Sequence, residues 1–127
     1  MASQCTSSLR VSLLVASLCA CGTPPRITFV PTPPASVSPR SQPCDVDIFR
    51  DSKPDRSYVE IGRIDFHQER HRAGAVAPTL ETVLPALKTR ACEVGADALV
   101  NLHVTDERYL EYALFHVTAS AVRYVRQ

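Results

Sequence analysis

Leu80-Glu-Thr-Val-Leu-Pro-Ala-Leu-Lys-Thr-Arg-Ala-Cys-Glu-Val-Gly-Ala-Asp-Ala-Leu-Val-Asn-Leu-His-Val104 changes its apolar period half-way along, and that change decides the fold. Leu80, Val83, Leu84, Leu87, Ala91 and Val94 recur at helical spacing and form one narrow stripe. Gly95 then stands where a helix commonly ends in a left-handed residue. From Ala98 the period becomes two: Ala98, Val100, Leu102 and Val104 alternate with Leu99, Asn101 and His103, a strand with one apolar face. The start of the helix leaves two readings open. If Thr79 is the cap, Pro85 removes an interior hydrogen bond and kinks the helix. If Thr82 is the cap, Pro85 falls in the first turn, where its missing N–H costs little.

Strands flank this unit on both sides. Upstream, Val46 and Ile48 alternate with Asp45 and Asp47, and turn chemistry follows over residues 51–55. Tyr58 to Phe66 is a second strand whose alternation breaks: Val59 and Ile61 share one face, Ile64 and Phe66 the other. Gly62 lies at the change of phase, so a bulge is expected there, restoring a single apolar face. Downstream, residues 110–125 alternate with Ala113, Phe115, Val117, Ala119 and Ala121 on one side. The order strand, strand, helix, strand, strand predicts an α+β domain over residues 44–127. It is a small antiparallel sheet with one helix packed on one face.

The remaining third of the chain reads as an address and a spacer. Arg10 precedes Val11-Ser-Leu-Leu-Val-Ala-Ser-Leu-Cys-Ala20, an apolar run too short to span a bilayer and suited to a signal-peptide core. Leu18-Cys19-Ala20-Cys21-Gly22 resembles a bacterial lipobox, which makes residues 1–20 the signal and Cys21 the lipid-bearing first residue of the mature chain. Two or more acyl chains give stable anchoring, whereas one binds only marginally. Gly22, in place of the Asp that retains lipoproteins in the inner membrane of Gram-negative cells, favours the outer membrane. Residues 22–43 hold seven of the ten prolines and are expected to form an extended tether. At polyproline spacing its reach would be roughly 70 Å.

Ser57-Tyr-Val-Glu-Ile-Gly-Arg-Ile64, Cys92-Glu-Val-Gly-Ala-Asp-Ala-Leu-Val-Asn-Leu102 and Val117-Thr-Ala-Ser-Ala-Val-Arg-Tyr124 resemble a broad bacterial superfamily. It includes the small YbjQ-like domains and the envelope-stress lipoprotein of the Rcs system. The resemblance spans residues 46–124 and implies the same α+β fold and a role in the envelope. The stress lipoprotein also carries a proline-rich segment between lipid and domain. Its disulfide cysteines have no counterpart here: the matching stretches around His67, His103 and Ala119 contain none. The metal-binding label attached to YbjQ-like domains finds no ligand set here.

Composition excludes more than it assigns. The chain carries 14 Lys and Arg against 13 Asp and Glu, and Arg10 alone lies before Cys21, so the mature chain is formally neutral. No basic run suggests nucleic acid. His67-Gln-Glu-Arg-His71 matches neither helical zinc motif, and at the junction of a strand and a loop its ordinary role is a solvated end. His103 would face about Glu111 in a hairpin centred near Glu107, an ordinary cross-strand pair on a wet face. No Ser/His/Asp spacing is distinctive.

Cys44 and Cys92 are the thiols left beside Cys21 after processing. In an exported chain they could bridge to one another, stay free, or bridge to a second chain. Cys92 lies about 130° from the helix stripe, so it is expected outside the core. The functional expectation is a non-enzymatic lipoprotein without cofactor or catalytic residues. It would be anchored through Cys21 in the outer membrane and would bind an envelope protein. The alternative is a metal-binding envelope domain that uses its histidines.

Overall fold

The computed structural model describes residues 24–71 and 76–127. Cys21, the stretch 1–20 read as an export signal, and the side chain of His71 lie outside the described residues. Five strands and one helix follow in the order β1 (Arg26–Pro31), β2 (Asp47–Ile48), β3 (Tyr58–His71), α1 (Leu80–Glu93), β4 (Ala98–Arg108) and β5 (Tyr112–Tyr124). The strands form one sheet in the spatial order β1-β3-β5-β4-β2, with α1 on one face. The α+β class is therefore as expected. The sheet, however, has five strands and is mixed, because β2 pairs with β4 in parallel while every other pairing is antiparallel.

The added strand corrects the expected domain boundary. β1 lies inside the stretch read as a tether, and it pairs with β3 from Arg26 opposite His67 to Pro31 opposite Gly62. Proline density over 22 residues concealed a proline-free run, Arg26-Ile-Thr-Phe-Val30, in which Ile27 and Phe29 alternate toward the core. Pro31 is tolerated because it ends an edge strand. Residues 32–46 then cross from one edge of the sheet to the other as a strap beneath the C-terminal end of α1. The folded part thus includes Arg26–Pro31, ahead of the expected boundary at Cys44, and residues 26–43 are not a free spacer.

Thr79 caps α1. Its hydroxyl oxygen accepts the Thr82 N–H at 3.3 Å, while Thr82 Oγ1 accepts the Thr79 N–H at 2.9 Å. Pro85 is therefore an interior residue. The freed end of the helix is met by Gly95 at φ +82°, the left-handed stop that the sequence announces. Leu80, Val83, Leu87, Ala91 and Val94 are buried with Ile61, Ile64 and Phe66 of β3 and with Phe115, Val117, Ala119 and Ala121 of β5. The bulge expected near Gly62 is present as a register shift between Glu60 and Gly62. It brings Ile61, Ile64 and Phe66 to one face, whereas Val59 stays 52% exposed near the strand's beginning.

A second departure concerns β4. Ala98 and Val100 do not join Leu99 under the helix; they face the opposite side and pack with Val122 beneath Phe49, Tyr58 and Tyr124. The connection from β2 to β3 passes over that face and closes a small satellite core. Asn101, at φ 53°, marks an irregularity between Val100 and His103 that turns Leu102 back toward the main core. Both faces of the first part of β4 are thus covered, which alternation alone does not reveal.

Candidate functional site

Parallel pairing of β2 with β4 places the residues leading into both strands at the same end of the sheet. Cys44 precedes β2 and Cys92 precedes β4, so the two meet: their Cα atoms lie 6.1 Å apart and a disulfide joins them. Of the three outcomes left open by the sequence, the structure holds the intramolecular bridge. Cys92 is 2% exposed, not outside the core, because the strap covers the flank of α1 that a helical wheel assigns to solvent.

Arg40 pins the same strap. Its N–H donates to the Cys92 carbonyl at 2.9 Å, and Nη1 donates to the carbonyls of Asp45 and Ala96 at 2.9 and 3.0 Å. The guanidinium also lies 3.5 Å from Asp97 Oδ1. The other Asp97 oxygen accepts the Tyr124 N–H at 2.8 Å, and Arg123 Nε donates to the Gly95 carbonyl at 3.1 Å. Strap, helix terminus, β4 entry and the end of β5 are therefore knitted together around one open groove of about 680 Å³, lined by Arg40, Arg123, Arg126, Asp97 and Tyr124 among others.

This groove is cationic in a chain whose formal net charge is only +1. Three guanidiniums face one carboxylate, and Arg56 lies beside them, 4.3 Å above the Tyr124 ring. Each guanidinium has five N–H donors in a planar fork, so Arg40 and Arg123 keep donors beyond those spent on backbone carbonyls. Such an array suits carboxylate or phosphate groups, which accept paired N–H donors. Tyr124 donates its hydroxyl to Asp47 Oδ2 at 2.7 Å. Burial and that neighbouring carboxylate push its pKa up to about 12, so at neutral pH it remains a proton donor that ties β5 to β2.

The histidines fall elsewhere and not as expected. β3 continues to His71, so His67 and His71 stand four residues apart on an extended strand, about 13 Å, rather than at a loop. His67 is instead the direct cross-strand partner of His116, with ring centroids 5.9 Å apart. His116 Nε2 lies 3.7 Å from Asp65 Oδ1 and His67 Nε2 lies 3.6 Å from Glu69 Oε1. His103 faces Thr118, not Glu111, because the hairpin turns at residues 109–112 rather than at Glu107. Among the described residues no three His, Cys, Asp or Glu side chains converge to hold a metal ion, and no helix is long and apolar enough to cross a membrane.

The arginine groove escaped the sequence reading because Arg40 and Arg123 are 83 positions apart and no local motif links them. Compared with protein-family models, curated proteins and solved structures, the chain has no significant match.

Proposed function

We propose that this chain is an exported, non-enzymatic lipoprotein of the bacterial outer membrane, anchored through Cys21. Its disulfide-closed domain binds an acidic envelope protein in the groove of Arg40, Arg123 and Arg126. The groove carries this reading: it concentrates guanidiniums against a single carboxylate at one end of a chain whose formal net charge is only +1. The Cys44–Cys92 bridge supports an oxidising compartment, since such bonds persist outside the cytosol. The lipobox-like stretch 18–22 supports the anchor, and the resemblance to the superfamily of the envelope-stress lipoprotein supports a role by contact.

Two measurements on intact cells test the proposal. Radiolabelled palmitate enters the wild type and is lost in Cys21→Ala; equal labelling of both would remove the anchor. A photo-cross-linking residue placed at Ser41, on the groove rim, forms a defined adduct that an Arg123→Glu/Arg126→Glu pair reduces at least tenfold, with palmitate labelling retained. An adduct indifferent to the charge reversal would remove the groove as the docking site.

A further inference from the structure

The end of the sheet at which β1 begins is also the end that carries the most exposed apolar group on the hairpin. Arg26 stands beside His67, His67 beside His116, and His116 beside Thr105. Beyond that row β1 is absent, while β3, β5 and β4 run on. β4 and β5 then join through a turn in which the Tyr109 N–H donates to the Tyr112 carbonyl at 2.8 Å. Six residues separate His116 from Leu110, so the turn stands about 20 Å beyond Arg26 along the strand direction. Leu110 at the tip is 93% exposed. Tyr109 and Tyr112 stack beside it with centroids 4.6 Å apart, and both are exposed.

The covalent chain imposes a matching length. Five residues separate Arg26 from Cys21, at most about 17 Å when fully extended. β1 starts at the end of the sheet that carries the hairpin tip, so Cys21 is tied by that length to this end. A lipid on Cys21 and the side chain of Leu110 can therefore lie at the same level. A spacer of 70 Å would have left the domain free to turn any side to the bilayer; a leash of 17 Å does not.

We propose that the Tyr109–Tyr112 turn is a second membrane contact, with Leu110 entering the acyl boundary and the two tyrosine rings at headgroup level, in the bilayer that holds the Cys21 lipid. The proposal rests on the reading of Cys21 as the lipid-bearing residue. Tyrosine suits this position because its ring is apolar and its hydroxyl is polar, which is why it collects at membrane interfaces. Here the Tyr109 hydroxyl donates to Glu107 at 2.6 Å, and Glu107 and Glu111 bracket Leu110 at the depth where water and headgroups remain. One leucine binds a membrane weakly in free solution. Attached beside a lipid anchor it acts at high effective concentration, so a weak contact suffices to orient the domain. In that orientation the arginine groove, at the opposite end of the sheet, faces away from the anchoring bilayer.

The chain contains no tryptophan, which makes a single introduced indole an unambiguous reporter. Full-length lipidated protein carrying Leu110→Trp is reconstituted in phosphatidylethanolamine–phosphatidylglycerol vesicles, with and without brominated acyl chains. The expected result is blue-shifted emission quenched at least twofold by the brominated lipid, with Val125→Trp, at the far end, unquenched. Tyr109→Trp supplies a second reporter should the first variant fold poorly. Mass spectrometry of the same samples reads the anchor. A lipidated Cys21 with a solvent-like, unquenched tip indole overturns the proposal alone. An unmodified Cys21 overturns the anchor reading and the proposal with it.

Discussion

Reducing the Cys44–Cys92 bridge should cost this domain a large part of its stability, and the loop it closes sets the amount. The two residues are 48 positions apart. In the chain-entropy account, closing a loop of that length removes roughly 14 cal/mol/K from the unfolded ensemble, about 4 kcal/mol at 25 °C. A domain of this size is stable by only about 5–15 kcal/mol, so the loss is felt at once. Arg40 offers partial compensation, since its bonds to the carbonyls of Cys92, Asp45 and Ala96 still hold the strap. Opening should therefore begin in the strap. Under reductant the Arg40 and Asp47 amides, which donate to Cys92 and Asp97 carbonyls, should lose hydrogen-exchange protection before those in β3 and β5. Urea unfolding followed by circular dichroism, with and without reductant, measures the whole effect. At a slope of about 2 kcal/mol/M the midpoint should fall by roughly 2 M, and the slope should rise because the reduced unfolded chain is less compact. A midpoint that moves by less than about 0.3 M, with the bridge verified in the oxidised sample, would refute the reasoning.

Two further perturbations test particular contacts. Gly62 admits the Phe29 ring and the Val30 carbonyl where any side chain would collide with both, so Gly62→Ala should push β1 off β3 and cost about 1–3 kcal/mol, seen as a lower melting temperature. An unchanged melt would mean that β1 is not seated as described. Tyr124 titrates near 12 in the folded state against 10 when unfolded, so its contribution is present below pH 10 and lost as pH rises toward 12. Absorbance at 295 nm should show one of the four tyrosines ionising last, and Tyr124→Phe should delete that component; an unaltered titration curve would contradict the Asp47 contact.

What the sequence determined by itself is whatever a segment's own period and caps can express. The stripe from Leu80 to Val94, the stop at Gly95, the phase change at Gly62 and the alternation from Ala113 to Ala121 follow from backbone geometry, which repeats at 3.6 residues or at two, and each is found where its residues place it. Tertiary structure alone decided which segments meet. β2 has two residues, too few to carry a period, and its parallel partner is chosen by contacts with residues 51 positions away. β1 was hidden among prolines, and its strand character depends on β3 standing beside it. Ala98 and Val100 are buried on the sheet face opposite α1, not under the helix, because a distant loop brings Phe49 over them. The same long-range closure buries Cys92, pairs it with Cys44, and gathers Arg40, Arg123 and Arg126 around one groove. Burial and proximity are properties of the assembled chain, and no local pattern encodes them.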